Sequence, residues 1–135
     1  LLEFRSLAGD AFKSLLRAGA RLAMGSDWSV STPNPLLEME VAVNRISDAA
    51  RGARPPFLPE ERLSLEEAVH AFTLGSAHVQ HLDDATGSLA AGKLADLIVL
   101  DRDLFDRAAG EIGEARVVAT FIEGEAVFED PALEG

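Results

Sequence analysis

The sequence predicts an α/β protein, and two observations carry that expectation. In the first two-thirds, apolar residues recur at helical spacing on both sides of one short apolar run that stops at a glycine. In the last third, β-branched and aliphatic runs follow one another across turn residues. Helices packed around a buried strand give an alternating α/β unit, and the later runs give a small sheet.

The elements follow in chain order. Ala8, Ala11, Phe12, Leu15 and Leu16 lie at i, i+3, i+4, i+7 and i+8, one face of an amphipathic helix, and Gly19 stops it. Residues 20–24, ALAM around Arg21, read as a short buried strand ended by Gly25. Pro35 suits the first position of a second helix, whose stripe of Leu36, Met39, Val43 and Ile46 runs to about Ala50. Three prolines in RGARPPFLPEE, residues 51–61, predict a surface loop. Ser64 and Glu67 form an S-x-x-E capping box ahead of an apolar run over residues 65–74, and a second turn follows Gly75 over residues 76–82. After Asp83 the character changes. Residues 94–101 and 115–122 read as strands, and Glu123-Gly124 turns the chain into a third, EAVFE. The expected division is therefore residues 1–82 and residues 83–135.

Composition narrows the function. The 135 residues carry a formal net charge of −11, which disfavours nucleic acid and anionic membrane surfaces as partners. With 47% hydrophobic residues the chain can bury a core, and no apolar run approaches the length of a membrane span. It has no cysteine, so disulfides, thiolate metal sites and cysteine nucleophiles are excluded. No signal peptide is visible, and the expected location is cytoplasmic.

Several residues invite a functional reading. Asp27 stands just past the carboxyl end of the expected strand, where α/β folds hold metals and general bases; a loop carboxylate or helix cap is the plainer alternative. Trp28 beside it suits a pocket wall or the core at a sheet rim. His78 and His81 are spaced to share a metal, but with His70 they are the only histidines, and no H-x-H or H-E-x-x-H accompanies them. GSLAAGKL, Gly87 to Leu94, nearly fits a phosphate loop. Leu94 replaces the hydroxyl that holds magnesium and a strand follows instead of a helix, so its glycines are expected to make turns and Lys93 to be solvated. Ser29, Ser31 and Thr32 have no histidine close in sequence to activate them.

Two stretches together are more specific. AGARLAMGSDWSV, followed later by TGSLAAGKLADLIVLDRD, resembles the C-terminal part of the metal-dependent amidohydrolase superfamily, in its amidohydrolase 3 branch. The A-F-T-x-x-x-A run at Ala71 and the pattern of Thr120, Gly124 and Val127 occur in the same order, so the resemblance spans residues 18–128. It implies the C-terminal fragment of a (β/α)8 hydrolase barrel, over residues 1–82, joined to the C-terminal strands of a small composite β-sandwich, over residues 83–135. Asp27 would then be both metal ligand and catalytic acid–base, taking a proton from the attacking water and passing it to the leaving nitrogen. The implied cofactor is a divalent metal, zinc in type, and the implied substrate a small-molecule amide with a non-peptide C–N bond. The family's H-x-H pair and its other ligands have no counterpart here, and Ser29 stands where many relatives carry proline. The chain is thus expected to be the C-terminal piece of a longer enzyme and inactive alone, with homo-oligomerisation through its uncovered helices an open expectation. The alternative is a non-catalytic binding or dimerisation module derived from the same family. A relative with another reaction, such as a deaminase, is the third reading.

Overall fold

The structure, a computed structural model, describes residues 11–47, 50, 53–106 and 109–134. Helix α1, Phe12–Arg17, carries the later part of the first predicted stripe; Ala8 lies outside the described residues. The chain leaves α1 at Gly19, whose φ of 89° is a left-handed conformation that glycine adopts without cost. Two carboxylates hold α1 in place. Glu67 accepts from Lys13 Nζ, at 2.6 Å to Oε2, and buried Glu61 accepts from the Ser14 N–H at 2.8 Å and from the Ser14 hydroxyl.

Helix α2, Pro35–Asn44, starts as expected: Asn34 caps it by accepting from the Leu36 N–H at 3.0 Å, and Pro35 fills the first turn. It is shorter than the sequence suggests. Arg45 takes the left-handed conformation, φ 60°, and its N–H bonds the Val41 carbonyl at 2.7 Å. Tertiary contacts explain the stop. Arg45 and Phe57 exchange two bonds, Phe57 N–H to Arg45 O at 2.8 Å and Arg45 Nε to Phe57 O at 3.1 Å. The guanidinium also stacks over the Phe12 and Phe57 rings, 5.5 and 5.8 Å from their centroids.

Helix α3, Leu65–His70, begins with the predicted capping box: Ser64 Oγ accepts from Glu67 N–H, and Glu67 accepts from Ser64 N–H at 2.7 Å. Gly75 does not break the run as expected. The helix widens into a π turn over Ala71–Gly75 and continues as α4, Ser76–Val79.

The core lies between α2, α3 and a 3-10 segment, Ala109–Glu114. Leu36, Met39, Ala42, Leu63, Ala68, Leu104, Ile112 and Ala115 are its buried members. Glu40, buried on α2, accepts from the Gly113 N–H at 2.8 Å and so ties helix to segment. A Cβ at position 113 would meet Leu37 Cδ2 at 2.4 Å, so glycine lets the backbone approach α2 this closely.

The last third is a three-stranded antiparallel sheet in the order β1–β2–β3, with β1 Leu97–Leu100, β2 Val117–Ile122 and β3 Glu125–Glu129. These are the three strands expected from the sequence, somewhat shorter in the first two cases. Glu123 and Gly124, at φ 52° and 85°, form the β2–β3 turn with the positive φ at both positions that a tight hairpin favours.

One expectation fails. Residues 20–24 form neither strand nor helix; Leu22 and Met24 are half-buried and Ala20, Arg21, Ala23 and Gly25 exposed. The alternation of a strand is present, but a ladder needs neighbouring strands, and the sheet of this chain lies elsewhere. The architecture is thus mixed α/β. No helix among the described residues is long and apolar enough to cross a membrane.

Candidate active-site loop

The segment that carries Asp27 is held by the helix rather than by a sheet. Met24 N–H donates to the Ala71 carbonyl at 3.0 Å, and the Met24 carbonyl accepts from Ser76 Oγ at 2.7 Å. Both backbone polar groups of Met24 are thereby satisfied, by the π turn and by the first residue of α4. A Cβ on Gly75 would lie 2.0 Å from the Leu22 carbonyl oxygen, so only glycine permits this approach.

Beyond Gly25 the chain turns at Asp27–Val30, closed by Val30 N–H to the Asp27 carbonyl at 2.8 Å. Asp27 is exposed and has a left-handed backbone, φ 49°, a conformation that Asp tolerates better than most residues. Its carboxylate therefore projects from a tight turn just past the half-buried segment. Trp28, next to Asp27 in the chain, is 66% exposed in this structure. The loop hydroxyls have local duties. Ser31 Oγ donates to Glu38 at 2.5 Å, and Thr32 Oγ1 accepts from the Asn34 N–H at 3.2 Å.

The histidines are spoken for or exposed. His78 Nδ1 lies 2.9 Å from Asp83 Oδ2, and Arg21 Nη1 lies 3.1 Å from Nδ1 and 3.2 Å from Nε2. The tautomer with Nδ1–H donating to Asp83 and Nε2 accepting from Arg21 satisfies all three groups. That hydrogen bond from His78 holds the Asp83 carboxyl below its usual range. His70 and His81 are exposed. Among the described residues, no group of three or more His, Asp or Glu could hold a metal, so they complete no metal site around Asp27.

Lys93 departs from expectation. It is not simply solvated but half-buried, and its ammonium donates to the Asp83 carbonyl, to the Thr86 carbonyl at 3.2 Å and to Ser88 Oγ at 2.8 Å. All three protons are used to close the loop between α4 and β1, and none is left for a phosphate. The sequence marks Gly75 and Ser76 only as the junction of two helical turns and gives neither a part in the site. A glycine–serine pair inside an apolar helical run is the only local signal they offer.

The model of the amidohydrolase family matches residues 3–128, nearly the whole chain. The chain belongs to the amidohydrolase family. Within its amidohydrolase 3 branch, the chain is 38% identical over 117 residues to the N-substituted formamide deformylase of Arthrobacter pascens, covering 87% of this chain and 21% of that protein. It is also 38% identical over 117 residues to the protein LONG AFTER FAR-RED 3 of Arabidopsis thaliana, covering 87% of this chain and 19% of that one. The amidohydrolase chain thus spans about a fifth of the length of these curated relatives. Its fold is shared with a solved amidohydrolase from Thermotoga maritima, at a TM-score of 0.66 and 23% identity, over 96% of this chain and 28% of that one.

Proposed function

We propose that this chain is the C-terminal part of a longer metal-dependent amidohydrolase that hydrolyses a non-peptide C–N bond in a small amide. Asp27 is its metal-site acid and general base. The observation that carries the reading is the place of Asp27: an exposed carboxylate on a tight turn, directly after a half-buried segment, in a chain of this family. In the whole enzyme, residues 20–24 become the last barrel strand once neighbours supply the ladder. Residues 1–82 belong to the barrel and residues 83–135 to the small β-sandwich.

A carboxylate oxygen is a fitting donor for a divalent metal of the zinc type, and from this chain Asp27 alone would hold it. When bound, such a metal supplies Lewis acidity, polarising the amide carbonyl and acidifying the attacking water. Asp27 accepts the proton of that water and returns it to the leaving nitrogen, so that the amine departs neutral. Exposure on the turn gives the carboxylate access to both partners. One donor does not make a site, so the 135 residues alone are inactive.

The test is Asp27→Asn in the full-length enzyme. The amide keeps the shape but cannot take a proton, and turnover should fall by roughly 10²–10⁴-fold or more with the fold retained. Turnover near that of the parent enzyme, with metal still bound, would refute the assignment.

A further inference from the structure

We infer that Ser76, seated by Gly75, is a positioning residue for the Asp27 carboxylate; the inference rests on the reading of Asp27 as the metal-site acid. Asp27 is three residues beyond Met24, and Met24 is the last residue of the segment whose backbone is bonded to the helix. After it the chain closes only a local turn before the α2 cap. The height at which Asp27 stands is therefore set where Met24 is gripped.

That grip depends on the π turn. Ala71 and Ser76 are five residues apart, about 1.4 turns of an α-helix, which would aim them to different sides. The i to i+5 spacing of a π turn brings them over one another. Ser76 Oγ lies 3.0 Å from the Ala71 carbonyl as well as 2.7 Å from the Met24 carbonyl. The Ala71 carbonyl takes the Met24 N–H, so one carbonyl and one serine hold both backbone polar groups of Met24. Gly75 completes the seat, because any Cβ there would push the Leu22 carbonyl away. The wider helical turn thus fixes the end of the segment that leads to Asp27. Small displacements of a catalytic group cost rate steeply even when the cause is remote, and rigid elements are what prevent them.

The experiment uses the full-length enzyme loaded with cobalt(II), whose visible spectrum reports the geometry of its ligands. Ser76→Ala removes the hydroxyl while keeping a strong helix former. We expect kcat to fall roughly ten- to a hundred-fold with KM within about two-fold, and the cobalt bands to shift. Ser76→Thr, which retains a hydroxyl, should recover both. Gly75→Ala should lower kcat at least as far. Val118→Ala, in β2 away from the loop, serves as a control for general loss of stability. A kcat for Ser76→Ala within two-fold of the parent, an unshifted spectrum, no recovery by Thr, or an equal kcat loss in the Val118 control would each overturn the inference. If Ser76→Ala does not accumulate folded, Ser76→Cys, a weak donor of similar shape, takes its place with the same outcomes. Asp27→Asn run alongside separates the two claims. Its failure to alter rate and spectrum would remove the reading of Asp27, whereas its success beside a silent Ser76 variant would remove this inference alone.

Discussion

His78 and Asp83 meet at 2.9 Å across the end of α4, with the Arg21 guanidinium against the same imidazole. The pair therefore joins the segment before Asp27 to the loop that leads into the sheet. Because the hydrogen bond from His78 lowers the folded-state pKa of Asp83, its stabilising effect is full above the unfolded carboxyl value of about 3.9. It is lost as the pH falls below that value and through the folded one. Asp83→Asn should therefore lower the melting temperature of the full-length protein near neutral pH. The gap to the parent should close as the pH drops below about 4. Glu61 and Glu67, also held below their usual range, contribute equally to both proteins and do not alter the comparison. Melting curves between about pH 3 and 7 check it; a gap that stays constant with pH would exclude the pair as its source.

Lys93 gives a sharper test, because its acceptors are mostly backbone carbonyls. Lys93→Met keeps the length of the side chain and removes three donors at once. The Asp83 and Thr86 carbonyls then lose a charged partner, for an expected cost of about 1–3 kcal/mol. The loop over residues 83–93 should exchange its amide hydrogens faster than the β2–β3 hairpin does. Unchanged exchange in that loop would mean that the ammonium is not what closes it.

What the sequence disclosed was local. The Ser64–Glu67 box, the Pro35 start of α2 and the Glu123-Gly124 turn each depend on residues a few positions apart, and each is present as expected. The break after residues 20–24 was visible too, because a glycine and a carboxylate after an apolar run mark where a half-buried segment ends, though not that it forms no strand here. The rest depends on contacts far apart in sequence. The stripe of α2 continues to Ile46, yet the helix stops at Arg45 because Phe12 and Phe57 draw the guanidinium away. The π turn leaves the Ala71 carbonyl to accept the N–H of Met24, 47 residues earlier in the chain. Lys93 looked solvated because carbonyl acceptors leave no mark in the sequence.

Gly87 should tolerate no side chain. Its φ is +81°, and a Cβ would meet Ala77 Cβ at 2.7 Å and Leu74 Cα at 3.0 Å. The left-handed backbone alone costs a non-glycine residue roughly 1–2 kcal/mol, and the contact with the helix adds to it. Gly87→Ala is expected to destabilise by about 2 kcal/mol or more. Gly92, also at positive φ but with nothing within 4 Å of a Cβ, is the matched comparison. Gly92→Ala should cost only the backbone part. Equal losses in the two variants, measured by denaturant unfolding, would show that the packing against α4 is slack.

The 135-residue chain studied by itself should associate with copies of itself and hold zinc weakly. In its sheet β1 and β3 are the edge strands, and among the described residues no further strand pairs with either outer edge. Every residue of β3 is exposed, and Ile98, Val99, Ile122, Val127 and Phe128 leave large apolar side chains in water. At roughly 25 cal/mol per Å2, covering a few hundred Å2 of such surface is worth several kcal/mol, comparable to the whole stability of a small domain. A second copy can cover it by edge pairing or by stacking sheet on sheet. The zinc half of the expectation has a separate cause. Tight binding needs three or four donors, and the described residues gather no such group around Asp27. Light scattering over a concentration series and a zinc titration examine the two halves independently. A monomer at all concentrations would mean that the exposed sheet is stable in water. One zinc ion bound tightly, and lost in Asp27→Asn, would mean that this chain carries a site of its own.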